Sequence, residues 1–182
     1  MRRIQEVALD LFDERGYTSV SIEEIADAAD VSPSSVYRYF GTKEQLVLYD
    51  EYDLDFMNVI ETELASHPPV EAVRRALARV MSDYFERDDD LARRKTTYAY
   101  QEPALRAATL ELTDDFVAVV AAALARATSR PDNDLEIRVA ASALIGALTT
   151  AARHWAAQGY DADLRAEMDA ALSVIQRGLR LD

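Results

Sequence analysis

An all-α chain of nine helices is the fold this sequence predicts, and three observations carry the prediction. Apolar residues return at three- and four-residue spacing from Ile4 to Leu179, and no segment reads as a strand. Five glycines and five prolines are all that punctuate 182 residues, so the elements between them are long. With 49% apolar and 29% charged residues, each helix can have one buried and one wetted face.

The first helix, RRIQEVALDLFDERG, aligns Ile4, Val7, Ala8, Leu11 and Phe12 on one face, and Gly16 supplies its stop. Ser21 and Glu24 have the spacing of a capping box, which starts a short second helix buried through Ile22, Ile25, Ala26 and Ala29. Ser32 caps the third, with Pro33 at its first position, where a missing N–H costs nothing. In it Val36 and Phe40 face inward, whereas Ser34, Ser35, Tyr37, Arg38 and Tyr39 face outward or sideways; Gly41 ends it. Thr42 and Gln45 open a fourth helix, which Leu46, Val47, Tyr49, Phe56, Met57, Ile60 and Leu64 carry without a break to about His67.

Helices five to seven follow: PVEAVRRALARVMSDYFER, a less regular DDDLARRKTTYAYQE, and PALRAATLELTDDFVAVVAAALARATSR. Asp132 or Asp134 caps the eighth, DLEIRVAASALIGALTTAARHWAAQ, which closes at Gly159; DADLRAEMDAALSVIQRGLRL is the ninth. No flexible linker interrupts the series. Residues 1–46 are expected to form one domain and 47–182 a second, with a rigid boundary running through helix four.

Composition narrows the function. There are 33 Asp and Glu against 20 Lys and Arg, a net charge of −13, so a nonspecific coat for polyanions is excluded. The chain has no cysteine, no apolar run of membrane-spanning length and no signal-peptide core, and a cytoplasmic protein without membrane association is expected. Paired histidines, a nucleophile elbow and a phosphate loop are all missing, which argues against an enzyme and against a cofactor. The series Asp50, Glu51, Asp53, Asp55 spirals around its helix and reads as solvated surface. His67 and His154 have no second ligand at useful spacing, so no metal site is expected.

Against this acidic background, VSPSSVYRYFGTK (31–43) has no carboxylate, although residues 1–48 together hold nine acidic and five basic side chains. Two short helices joined by a tight turn, the second opening on Ser-Pro and bearing small polar and cationic residues, form the helix-turn-helix pattern. Ser34 and Ser35 let the backbone approach base edges, Arg38 can donate two hydrogen bonds to guanine, and the hydroxyls of Tyr37 and Tyr39 can reach phosphates.

The segment ALDLFDERGYTSVSIEEIADAADVSPSSVYRYFGTKEQLV is similar, almost position by position, to the amino-terminal domain of the TetR family of transcriptional repressors. The resemblance rests on LF…RGY, I-A-x-x-A, V-S-x-x-x-V-Y-x-Y-F and K-E-x-L, and covers about fifty residues. It implies that Tyr37 and Lys43 contact phosphates and that Pro33, Ser34, Ser35, Arg38 and Tyr39 line the groove, with Thr18 and Ser21 as lesser phosphate donors. Two departures imply modest affinity: Glu23, where a neutral or cationic residue suits DNA better, and a basic arm reduced to Arg2 and Arg3. The run KEQLVLYDEYD bears a fainter resemblance to an actinobacterial branch related to mycofactocin-system regulators, some of which answer to acyl-CoA-like molecules.

The resemblance further implies a homodimer on a palindromic double-stranded operator, released by a small apolar or amphipathic effector. Met57, Met81, Tyr84, Phe85, Tyr98, Tyr100 and Phe116 are the candidates to line the effector pocket, although residues at such spacing also serve as plain core. Arg93-Arg94-Lys95 suits an anionic head group or, more simply, a solvated charge run. Leu144, Leu148 and Trp155 in the eighth helix, with Met168, Leu172, Ile175 and Leu179 in the ninth, are expected to pair with a second subunit as a four-helix bundle. A helical interaction module that has lost DNA binding is the rival, kept open by acidity and Glu23.

Overall fold

A computed structural model describes residues 1–87 and 89–180, apart from the side chains of residues 51–54, 81–87 and 89. Among these residues there are ten α-helices: α1 (Arg2–Arg15), α2 (Ile22–Ala28), α3 (Pro33–Phe40), α4 (Lys43–Leu48), α5 (Glu51–Leu64), α6 (Pro69–Arg87), α7 (Asp89–Gln101), α8 (Arg106–Thr128), α9 (Leu135–Ala157) and α10 (Leu164–Gln176). Short 3-10 turns occupy Tyr17–Ser19 and Pro103–Leu105. The count rises from nine to ten because the expected long fourth helix stops at Tyr49, whose ψ of 126° ends α4. The Tyr49 carbonyl turns to accept from Gln5 Nε2 (2.9 Å) and Lys95 Nζ (2.6 Å). The helix expected to run on to about His67 is thus two helices, α4 and α5.

Two compact units emerge. The first joins Met1–Tyr49 to Asp90–Thr109, so α7 belongs with the amino-terminal helices and not only with the residues beyond 47. The second joins Asp50–Asp89 to Leu110–Asp182.

In the first unit α1 buries Ile4, Gln5, Ala8, Leu9 and Phe12. The buried stripe thus includes Leu9 and the polar Gln5, while Val7 and Leu11 flank it. Phe12 is 1% exposed and meets Tyr17 at 5.0 Å and Tyr98 of α7 at 5.7 Å. Ser21 and Glu24 complete both halves of the capping box on α2. The turn into α3 passes through Asp30 at φ 56°, a left-handed conformation that Asp tolerates better than most residues. Val36, fully buried, and Phe40 hold α3 against α1 and α2; burial of such side chains contributes about 1.5–3 kcal/mol each.

The acidic rim of α1 is gripped from α7. Arg94 donates to Asp10 (2.8 Å) and Asp13 (2.7 Å), and Tyr98 Oη donates to Asp13 (2.7 Å). Lys95 is buried, with its ammonium on Tyr49. Within the Arg93-Arg94-Lys95 triplet, Arg94 and Lys95 are not a solvated run; they tie α7 to α1 and to the end of α4.

In the second unit, α5, α6, α8, α9 and α10 share a core that includes Ile60, Val73, Val120, Leu124, Leu144 and Leu172. The inner face of α9 repeats Ile137, Ala141, Leu144, Leu148, Ala151 and Trp155. Trp155 donates to the Ala162 carbonyl (2.7 Å) and packs edge-on to Tyr160, closing the turn into α10. Arg74 of α6 bonds to Asp169, Ser173 and Gln176 along α10. By length and composition α9 could cross a membrane, a property that buried helices of globular proteins share.

Candidate nucleic-acid interface

Every feature of α3 separates an inner from an outer side. Ser32 Oγ accepts from Ser35 N (3.2 Å), capping the helix just before Pro33 at its first position. Ser34 Oγ and Ser35 Oγ each lie 2.9 Å from Ser32 Oγ, so the three hydroxyls gather at the helix start. Tyr37 and Tyr39 remain 46% and 49% exposed, which is uncommon for rings in a folded unit and leaves them available to a partner. Arg38 is exposed; its carbon Cζ lies 4.9 Å from the Tyr39 ring centre and Nη2 donates to Tyr39 Oη (3.3 Å). Among the described residues Arg38 forms no ion pair, so its guanidinium can still meet an anion or a guanine edge.

Two expected phosphate donors are already engaged. Lys43 Nζ donates to the carbonyls of Tyr17 and Val20 (2.9 Å each) and sits 4.2 Å from the Tyr17 ring centre. It fastens α4 to the turn before α2 and is committed inward. Ser21 is equally occupied, its hydroxyl donating to Glu24 and accepting from Glu24 N. Thr18, in the 3-10 turn, is exposed. Tyr37 Oη donates to Glu23 Oε1 at 3.2 Å, so a carboxylate of α2 reaches the outer side of α3.

The electrostatics follow these contacts. The Ser21 backbone N–H, then Arg15 and the Ser21 hydroxyl, lower Glu24 from 4.5 to about 2. Desolvation first and Glu23 second raise the Tyr37 phenol, and desolvation followed by Glu44 raises that of Tyr17. Both hydroxyls are therefore proton donors at neutral pH.

Four of the seven expected effector-pocket residues have described side chains. Met57 and Phe116 lie in the second unit, where Phe116 meets Phe56 at 6.2 Å. Tyr98 and Tyr100 lie in the first, and Tyr98 is committed to Asp13 and Phe12. The side chains of Met81, Tyr84 and Phe85 lie outside the described residues. A cleft of about 390 Å³ between α6 and α10 is lined by Leu77, Met168 and Leu172, and by none of Met57, Tyr98, Tyr100 and Phe116. The expected association residues divide too. Leu144, Leu148, Trp155 and Leu172 are buried within the second unit and have no surface to offer a partner, Met168 and Ile175 are half-buried against its core, and Leu179 is exposed. The outward side of α9 instead shows Leu135 (76% exposed), Val139 (58%), Ser142 and Ala143.

Gln5, Arg94 and Lys95 were not legible as organisers of the site, although a glutamine set into the apolar stripe of α1 was a visible signal. Gln5 Nε2 donates to the Leu46 and Tyr49 carbonyls, the last acceptors of α4.

Comparison with known proteins agrees with this geometry. Residues 4–49 match the family model of bacterial regulatory proteins of the tetR family, and residues 67–180 match the MftR C-terminal domain. MftR of Mycobacterium tuberculosis, named as a mycofactocin biosynthesis transcriptional regulator, is 24% identical over 97% of this chain and 89% of its own. The transcriptional repressor Rv3405c of M. tuberculosis is 42% identical over 42% of this chain and 39% of its own. Among solved structures, the TetR-family repressor FadR of Thermus thermophilus, in complex with lauroyl-CoA, superimposes with a TM-score of 0.61 at 25% identity, covering 100% of this chain and 95% of FadR. An outward helix free of carboxylates, on a helix-turn-helix that matches one family model and is followed by 114 residues matching another, leads to one conclusion: the chain belongs to the TetR family of transcriptional regulators, DNA-binding proteins and not enzymes, with a C-terminal domain of the MftR type.

Proposed function

We propose that the protein is a cytoplasmic repressor that binds a palindromic operator as a homodimer and is released by a small amphipathic effector. The observation that carries this is α3 itself, which has no carboxylate of its own in a chain of net charge −13 and turns Ser34, Ser35, Arg38 and Tyr39 outward. Small residues there bring the helix close to base edges, Arg38 reads guanine, and Tyr39 with Pro33 completes the groove-facing side; Thr18 serves the phosphates. The functional division runs near residue 46, with DNA binding before it and effector binding and dimerisation after it. The outward side of α9, with Leu179 beyond α10, is the surface through which two copies associate, and a two-fold axis then sets the half-site spacing at about one DNA turn.

An amphipathic acyl thioester is the first effector to try, because the structure of FadR, at 25% identity over the whole chain, is a complex with lauroyl-CoA. The effector must prefer one of two states of the dimer, since a ligand of equal affinity for both shifts nothing. The test is selection of duplexes from a random pool followed by anisotropy titration. A palindromic sequence bound by two chains, with affinity that falls as salt rises and that lauroyl-CoA weakens, is the expected result. Recovery of no preferred sequence would contradict the proposal.

A further inference from the structure

We propose that Glu23 is a specificity-determining residue of the DNA interface, whose carboxylate opposes docking on phosphates alone and accepts from the N4 amino group of a cytosine once α3 is seated in the groove. This rests on the proposed DNA-binding function. Glu23 and Glu24 share the first turn of α2, but only Glu24 has its charge met, by Arg15 of α1 beside the N–H and hydroxyl of Ser21. Glu23 is exposed and turns toward α3, where Tyr37 Oη meets it at 3.2 Å. No carboxylate occurs in residues 31–43, so α3 carries none of its own and Glu23 is brought to its outer side from α2.

A tyrosine hydroxyl has one proton to donate. If Tyr37 gives it to a phosphate oxygen, Glu23 is left beside an anion without a donor. Nonspecific complexes consist of phosphate contacts, so they bear this penalty in full. In the major groove the situation reverses, because cytosine presents an N4 donor that a glutamate accepts. A carboxylate at this place therefore widens the gap between the correct sequence and all others, at the expense of affinity for random DNA. The Tyr37–Glu23 bond holds the carboxylate in position until a base replaces it.

The experiment compares Glu23→Gln with wild type on two duplexes of equal length, one selected from a random pool by the wild-type chain and one of random sequence. Glutamine keeps the size and removes the charge, and the position is exposed, so folding is unaffected. Random-duplex affinity is expected to rise roughly threefold to tenfold, the size of one like-charge contact near a protein surface. Affinity for the selected duplex is expected to stay level or fall. Repeating the selection with Glu23→Gln should lose a cytosine preference at one position in each half-site. Equal gains on both duplexes would reduce Glu23 to general repulsion and overturn the assignment, as would no change on either. Those failures differ from failure of the DNA-binding function, which would show as a wild-type chain without preference for any duplex and would overturn both.

Discussion

Lys43 shows how one side chain gains a second role when its neighbours are known. It follows a glycine and a threonine at the end of the helix-turn-helix, where a cation suits a phosphate, yet its ammonium is on two backbone carbonyls. Lys43→Met should therefore lower the melting temperature, at about 1.5–3 kcal/mol for hydrogen bonds to a charged donor, and leave the slope of log K against log salt unchanged. A phosphate contact would instead reduce that slope by about one. Asp30 is the second case: at φ 56°, replacement by glycine relieves left-handed strain of about 1–2 kcal/mol against a glycine entropy cost of about 0.5–1, so urea titration should show a small net gain for the first unit. Glu24 is the third. Its folded value of about 2 lies below the ordinary 4.5, so its contribution is fully present above pH 4.5 and is lost as pH falls toward 2. Glu24→Gln should flatten the fall of melting temperature across that window.

At the scale of elements, the capping boxes, the Ser-Pro start of α3 and the helix periods were legible because each is a local pattern that the sequence spells within four residues. The end of α4 was not. Its apolar run continues past Tyr49, and what stops it is a pair of donors 44 and 46 residues away in sequence, Gln5 and Lys95. Gln5→Leu keeps the stripe of α1 apolar and removes the donor to two carbonyls, with an expected cost of about 1–3 kcal/mol and faster amide exchange at the end of α4. The outward residues of α3 were legible for the opposite reason: the outward placement of serines, arginine and tyrosines follows directly from Val36 and Phe40 fixing the inner side. Which of them were already bonded was not, since the partners Glu23, Tyr17 and Val20 come from other elements.

For the whole molecule the same distinction governs association. Helical periodicity identified the apolar faces of α9 and α10 correctly but could not say whether one face looked inward or two, and the larger residues turned out to be the subunit's own core. Leu172→Ala should cost about 2–5 kcal/mol and loosen the second unit before it affects association. Val139→Arg, on the outward side of α9, should leave the helical content intact and yield monomers in light scattering.

Base reading by α3 is tested by an anisotropy titration of wild type and Arg38→Ala against the selected duplex and a random one at fixed salt. Arg38→Ala is expected to lose roughly tenfold to a hundredfold on the selected duplex, about the 1–3 kcal/mol of one bidentate contact, and far less on the random one. An equal loss on both duplexes would make Arg38 a phosphate contact and contradict the claim.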